Sequence, residues 1–153
     1  MISPTRQRTY TIKEAAALTG LPASTLRYYE SIGVTAPVSR GASSGHRVYD
    51  EQDLDQLMWV ACLAATGMSV SDMRAYVANG SLGPAAAHEQ IELLAAQERR
   101  LAEEAEQIVL RQRYVRIKID YWHAVEAGDD ARADVLAGEA RALADELRNA
   151  KRQ

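Results

Sequence analysis

The spacing of apolar and polar positions divides this chain into short helices, one hairpin and one long helix. Thr11-Ile12-Lys13-Glu14 has the Thr-x-x-Glu spacing of a capping box and predicts a helix over Ile12–Thr19, closed by Gly20. Pro22 suits a first helical turn, and a second helix is expected through Ser24-Thr25-Leu26-Arg27-Tyr28-Tyr29-Glu30-Ser31-Ile32 as far as Gly33. Two short helices joined by a tight turn form a helix-turn-helix unit. The pattern then changes. Val34–Val38, with Pro37, reads as extended chain, Ser39–Gly45 as a flexible small-residue loop, and His46-Arg47-Val48-Tyr49 alternates like a strand. A hairpin directly after a helix-turn-helix is a wing, able to reach the phosphate backbone beside a DNA groove.

Asp50 with Asp53 caps a third expected helix, Glu51–Thr66, ended by Gly67. It is apolar almost all round, which predicts burial on more than one side. Ser69-x-x-Asp72 starts a fourth helix, expected to run to Val77 and stop at Asn79-Gly80. After Pro84, steps of three and four give Ala87, Ile91, Leu94, Glu98, Leu101, Ala105, Ile108, Gln112, Val115, Ile119 and Trp122, of which nine are apolar. That is the seam of a coiled coil, and a second copy of the chain is the simplest partner. The expected dimer contacts are Ile91, Leu94, Leu101, Ala105, Ile108, Val115, Ile119 and Trp122. Along the same helix Glu98, Glu103, Glu104 and Glu106 precede Arg111, Arg113, Arg116 and Lys118. Antiparallel copies crossing near residue 108 would set acid against base, whereas parallel copies would set like against like. Gly128-Asp129 breaks the run. A last helix, roughly Asp130–Asn149, carries Leu136, Ala140, Leu143 and Leu147 and either frays or folds back on the long helix, the alternative to a dimer being a monomeric hairpin. The expected organisation is a DNA-binding domain over 1–80, a dimerisation helix over 84–127 and a helical tail over 128–153.

Composition narrows the class. The 153 residues are 47% hydrophobic and 25% charged, with seven Tyr, two Trp and no Phe, so the apolar content is mainly Ala and Leu and favours a mostly α fold. No apolar run approaches the ~18 residues of a membrane span, and Met1–Tyr10 is polar, so neither a signal peptide nor an anchor is expected. One cysteine, Cys62, excludes an intramolecular disulfide and any four-thiolate metal site within a chain, and points to a reducing cytoplasm. His46, His88 and His123 are scattered without partnered acids, there is no phosphate-cradling glycine loop, and neither an enzyme nor a cofactor nor a bound metal is expected. The net charge of −3 conceals segregation: residues 1–49 carry six Lys/Arg against two acids, whereas residues 50–80 carry one Arg against five acids. A basic N-terminal third on an acidic chain marks a localised anion-binding surface.

Leu26-Arg27-Tyr28-Tyr29-Glu30, then Gly33, Pro37 and Arg40, then Gly45-His46-Arg47-Val48-Tyr49, then Thr66-Gly67-Met68-Ser69 resemble, in that order and spacing, the MerR family of bacterial transcription regulators. The resemblance covers about residues 9–80, and a long dimerisation helix after it also fits. It implies a dimer of winged helix-turn-helix domains joined by an antiparallel coiled coil, which binds an inverted repeat in a promoter and distorts the DNA, with RNA polymerase engaging the same promoter in the bacterial cytoplasm, on the nucleoid. It assigns DNA contacts to Ser24, Thr25, Arg27, Tyr28 and Tyr29 of the second helix and to Arg40, His46, Arg47 and Tyr49 of the wing. Thr11 and Lys13, at the start of the first helix, complete the expected contact set.

Elementary chemistry gives each residue a role. Arg27 can reach guanine bidentately or clamp a phosphate, or else pair with Glu30 on its own helix. Tyr28 and Tyr29 point about 100° apart, so one packs and the other is free, and periodicity does not say which. Arg47 and Tyr49 are two apart on a strand and share a face, suited either to backbone clamping or to packing, packing being the more natural for Tyr49.

With one cysteine and a short tail, the chain is most similar to the aldehyde- and electrophile-responsive group of AdhR/NmlR type, which carries a single cysteine in the context of Cys62-Leu63-Ala64-Ala65-Thr66-Gly67-Met68-Ser69. Alkylation or oxidation of Cys62 would add bulk or charge to the third helix, expected to be tightly packed and to join the DNA-reading unit to the coiled coil, and so re-angle the two halves of the dimer; the other reading is that Cys62 only fills space. The competing function is an inducer-independent architectural or excision-type DNA binder built on the same winged unit.

Overall fold

A computed structural model describes residues 7–151 of the chain. The order is α1 (Ile12–Thr19), α2 (Ala23–Ser31), β1 (Ser39–Arg40), β2 (Arg47–Val48), α3 (Glu51–Ala65), α4 (Val70–Gly80), a 3-10 turn at Gly83–Ala86, α5 (Ala87–Glu126) and α6 (Asp130–Ala150). Two compact units divide between Ala95 and Ala96.

In the first unit the helix ends follow local chemistry. The Thr11 hydroxyl accepts the Glu14 amide at 3.2 Å while Glu14 Oε1 accepts the Thr11 amide at 3.1 Å, and Gly20 closes α1 at φ 74°. Asp50 and Asp53 form the same reciprocal box at the start of α3, at 2.8 and 3.0 Å. Leu26, Tyr49, Leu54 and Leu57 gather with Tyr10 and Ala15 into one core cluster under the wing. Tyr29, Val34, Val60, Met68 and Met73 form a second, between α2, α3 and α4.

Three expectations change. The wing is smaller than the alternation suggested: its strands are two residues long, paired Ser39 with Val48 and Arg40 with Arg47. Across its tip Gly41 N–H donates to the His46 carbonyl at 2.8 Å and Arg40 Nη1 to the Gly45 carbonyl at 3.2 Å. Helix α4 runs on to Gly80 instead of stopping at Val77, because Gly80 keeps an ordinary negative φ and the Ser81 hydroxyl and Leu82 amide cap the carbonyls of Ala78 and Asn79. Helix α3 buries one face, Leu54, Leu57 and Val60, while Met58, Trp59 and Cys62 remain exposed. An apolar stretch in sequence is therefore not a helix buried all round.

In the second unit α6 folds back on α5. Asp129 caps α6 by accepting the Arg132 amide at 3.0 Å, and Gly128 makes the reversal at φ 70°. Leu136, Ala140 and Leu143 pack with Ala133 against Ile117 and Ala124, flanked by Leu110, Tyr114 and Tyr121. The face of α5 used is thus 110, 114, 117, 121, 124, again in steps of three and four. It is a different face from the seam.

Candidate nucleic-acid interface

On α2, Ser24, Arg27, Tyr28 and Ser31 are exposed and lie at positions i, i+3, i+4 and i+7, while Leu26 and Tyr29 are buried. The free tyrosine is Tyr28, 53% exposed, with Tyr29 held in the core at a ring separation of 6.2 Å. Thr25 is half-buried beside this face. Ser31, which the sequence did not single out, donates its hydroxyl to the Tyr28 carbonyl at 2.7 Å and extends the stripe by one turn. The i+7 spacing from Ser24 was the available signal.

Between α1, α2 and the wing lies a cleft of about 510 Å³ that brings Lys13, Arg27, Arg40, His46 and Arg47 together, with Thr9, Thr11 and Ser44 at its rim. Glu14 is the acid lining it, and that carboxylate is already engaged by the Thr11 amide. Thr9 and Ser44 also escaped the sequence reading, since small polar residues carry no periodic signature. The cleft gathers cations from three segments that are up to 34 positions apart, so convergent positive charge is a property of the fold. Arg6, part of the basic N-terminal third, lies outside the described residues.

Of the two roles open to the wing pair, Tyr49 takes packing, the more natural one for it, and Arg47 lines the cleft but is held in an ion pair. Tyr49 exposes 2% of its surface and belongs to the core; its backbone bridges Tyr10 in both directions at 2.8 and 2.9 Å, and its hydroxyl is buried without a partner among the described residues. Burial raises its pKa above the ordinary 10.0. Arg47 shares that inward face, as the two-residue spacing implied, and its Nε donates to Glu30 Oε2 at 2.8 Å. Glu30, the alternative partner considered for Arg27, is paired with Arg47 instead, and the Arg27 side chain is exposed along the cleft. Arg40 and His46 are exposed on the wing.

Cys62 is an exposed thiol, which corrects the expectation of tight packing around it. The seam residues Ile91, Leu94, Leu101, Ala105, Ile108, Val115, Ile119 and Trp122 are all exposed, Ile108 by 51%. Among the described residues no group of three His, Cys, Asp or Glu side chains is arranged to hold a metal, and no helix is long and apolar enough to cross a membrane.

The family described as MerR HTH family regulatory protein matches residues 10–80. A Haemophilus influenzae protein named "Probable heavy metal-dependent transcriptional regulator" is 32% identical over 119 residues, 78% of this chain and 89% of its own length. AdhR of Bacillus subtilis, an HTH-type transcriptional regulator, is 35% identical over 60% of this chain and 65% of its own. The crystal structure of HiNmlR, a MerR family regulator lacking the sensor domain and bound to promoter DNA, superposes with a TM-score of 0.63 at 27% identity, covering 78% of this chain and 94% of that one. The chain spans about half to two thirds of the length of curated relatives such as AdhR. Wing, helix-turn-helix, long helix and single cysteine agree with these similarities, and the chain belongs to the MerR family of helix-turn-helix regulatory proteins.

Proposed function

We propose that the chain is a sequence-specific transcriptional regulator that binds an inverted repeat in a bacterial promoter as a homodimer, distorts the duplex there and controls access of RNA polymerase in the cytoplasm. The observation that carries the reading is the cleft joining Arg27 of α2 to Lys13 of α1 and to Arg40 and His46 of the wing. Arg27, Tyr28, Ser24 and Thr25 present donors to base edges or phosphates, and Lys13, Arg40 and His46 hold the backbone on either side. Thr11 orders the start of α1. Tyr29, Tyr49 and Arg47 support the reading surface from inside. The roles follow the segments: residues 1–80 read DNA, 84–127 dimerise, and 128–153 stiffen the dimerisation helix.

Dimerisation is supported by the stripe that folding leaves bare. α6 covers the 110–124 face of α5, so the Ile91–Trp122 seam stays free for a second copy. An antiparallel crossing near residue 108 then sets the acids at 98–106 against the partner's bases at 111–118.

The signal is read as an electrophile, an aldehyde or an oxidant acting at Cys62, whose exposure supports access. Promoter footprinting with wild type and Cys62→Ser, with and without a small aldehyde, tests this. Wild type changes its footprint and the serine variant does not; a response that survives in the variant contradicts thiol sensing. Footprints on unrelated sequence without preference would favour the architectural reading.

A further inference from the structure

Arg8 lies two positions before the segment that the MerR family matches, residues 10–80. Its side chain is exposed, and its guanidinium carbon stands 5.0 Å from the centroid of the Tyr10 ring, within cation–π range. That ring is an anchored platform. Tyr10 is 9% exposed and belongs to the core cluster under the wing, and its backbone bridges Tyr49, just after β2, at 2.8 and 2.9 Å. Its hydroxyl donates to Glu51 Oε1 at 2.9 Å, which engages the nearby carboxylate as well. Arg8 makes no ion pair with another described residue. Thr9 and Tyr10, the next two residues, line the basic cleft together with Lys13, Arg27 and Arg40. One Cα step of about 3.8 Å separates Arg8 from Thr9, less than the length of an extended arginine side chain.

We propose that Arg8 is a further phosphate contact of the DNA interface, a guanidinium held against Tyr10 that clamps the duplex backbone at the margin of the cleft. Contact with a ring occupies a face of the guanidinium and leaves its in-plane N–H fork for an acceptor, the arrangement that suits a phosphodiester. A base edge is not the expected ligand. Edges are reached from inside a groove, the place of α2, whereas Arg8 belongs to the segment before α1 and meets the strand beside it. Its contribution is therefore charge, indifferent to sequence, added to that of Lys13, Arg40 and His46. The inference rests on the reading of the chain as a DNA-binding protein.

Fluorescence anisotropy of the full chain tests the contact, with two labelled duplexes of equal length, the footprinted promoter and a mixed sequence, each titrated over a series of potassium chloride concentrations. Arg8→Gln, which keeps N–H donors but not the charge, weakens both duplexes several-fold and to the same extent. Its plot of log affinity against log salt is shallower than that of wild type by about one for each chain bound. Arg8→Lys restores the slope, and the circular dichroism of Arg8→Gln stays that of wild type, as an exposed side chain allows. A wild-type slope in Arg8→Gln overturns the proposal, and so does a loss confined to the promoter duplex, which would place Arg8 on a base. Where wild type binds and Arg8→Gln binds equally well, this contact alone falls. Where wild type binds neither duplex, the DNA-binding reading falls and the contact with it.

Discussion

Arg47 Nε donates to Glu30 Oε2 at 2.8 Å and so ties the wing to the last turns of α2. Both side chains are largely withdrawn from solvent, 18% and 14% exposed, so the pair acts as a strut. It also occupies the carboxylate nearest in sequence to Arg27, whose side chain stays exposed.

The strut and the reader separate by mutation. Arg47→Ala leaves a half-buried carboxylate without its partner and lowers stability by about 1–3 kcal/mol, measured by urea unfolding. Arg27→Ala changes stability by less than about 0.5 kcal/mol, as for an exposed site. It lowers discrimination between an operator and a single-base variant by about 1–3 kcal/mol, read by competitive binding at fixed salt. Unchanged discrimination removes Arg27 from base readout.

Tyr49 offers the converse case. Its hydroxyl is buried and unpartnered, so Tyr49→Phe removes a desolvation cost without changing the ring, and stability rises by about 1 kcal/mol. DNA affinity stays at the wild-type value. The sign with pH follows from the raised pKa: the fold prefers neutral Tyr49, so wild type loses stability relative to the Phe variant as pH climbs past the ordinary tyrosine value of 10.0. A Tyr49→Phe variant with weakened DNA binding would return Tyr49 to the interface.

Asp53 is raised above its ordinary 3.8, first by desolvation and then, against the lowering effect of the Asp50 amide, by the neighbouring Asp50 carboxylate. The folded state therefore binds this proton more tightly than the unfolded chain does. Ionised Asp53 costs stability above its folded pKa, and the cost fades as pH falls through it. The stability of wild type relative to Asp53→Asn accordingly improves between pH 7 and about pH 4, by paired urea titrations. An opposite slope contradicts the burial of this carboxylate.

What the sequence disclosed was set locally. The Thr11–Glu14 and Asp50–Asp53 boxes and Gly20 fix helix ends with groups three or four residues away, and those ends stand where the pattern put them. The seam and the tail helix were legible as period. What was hidden depends on tertiary placement. Tyr28 and Tyr29 are chemically alike, and only the core behind α2 decides that Tyr29 is enclosed. Arg47 and Tyr49 were seen to share a face, but which way that face points is decided by Leu26 and Leu57 beneath it. The apolar run of α3 concealed the bare face with Trp59 and Cys62, because composition does not say which partner covers a side. For the same reason the heptad pattern of α5 and that of α6 left open whether they consume each other.

They do so on a separate face. Leu136→Ala, in the contact of α6 with α5, therefore loses about 2–5 kcal/mol as a core truncation. Substitutions on the seam leave each chain folded. A Leu136→Ala variant with wild-type stability would mean that α6 is not held there.

Sedimentation equilibrium at micromolar concentration, on wild type and Ile108→Glu, bears most directly on the central claim. Wild type sediments at twice the 16.8 kDa of one chain, and Ile108→Glu, with helical circular dichroism unchanged, at a single chain's mass. Wild type at 16.8 kDa, or Ile108→Glu still paired, would contradict assembly along the Ile91–Trp122 stripe.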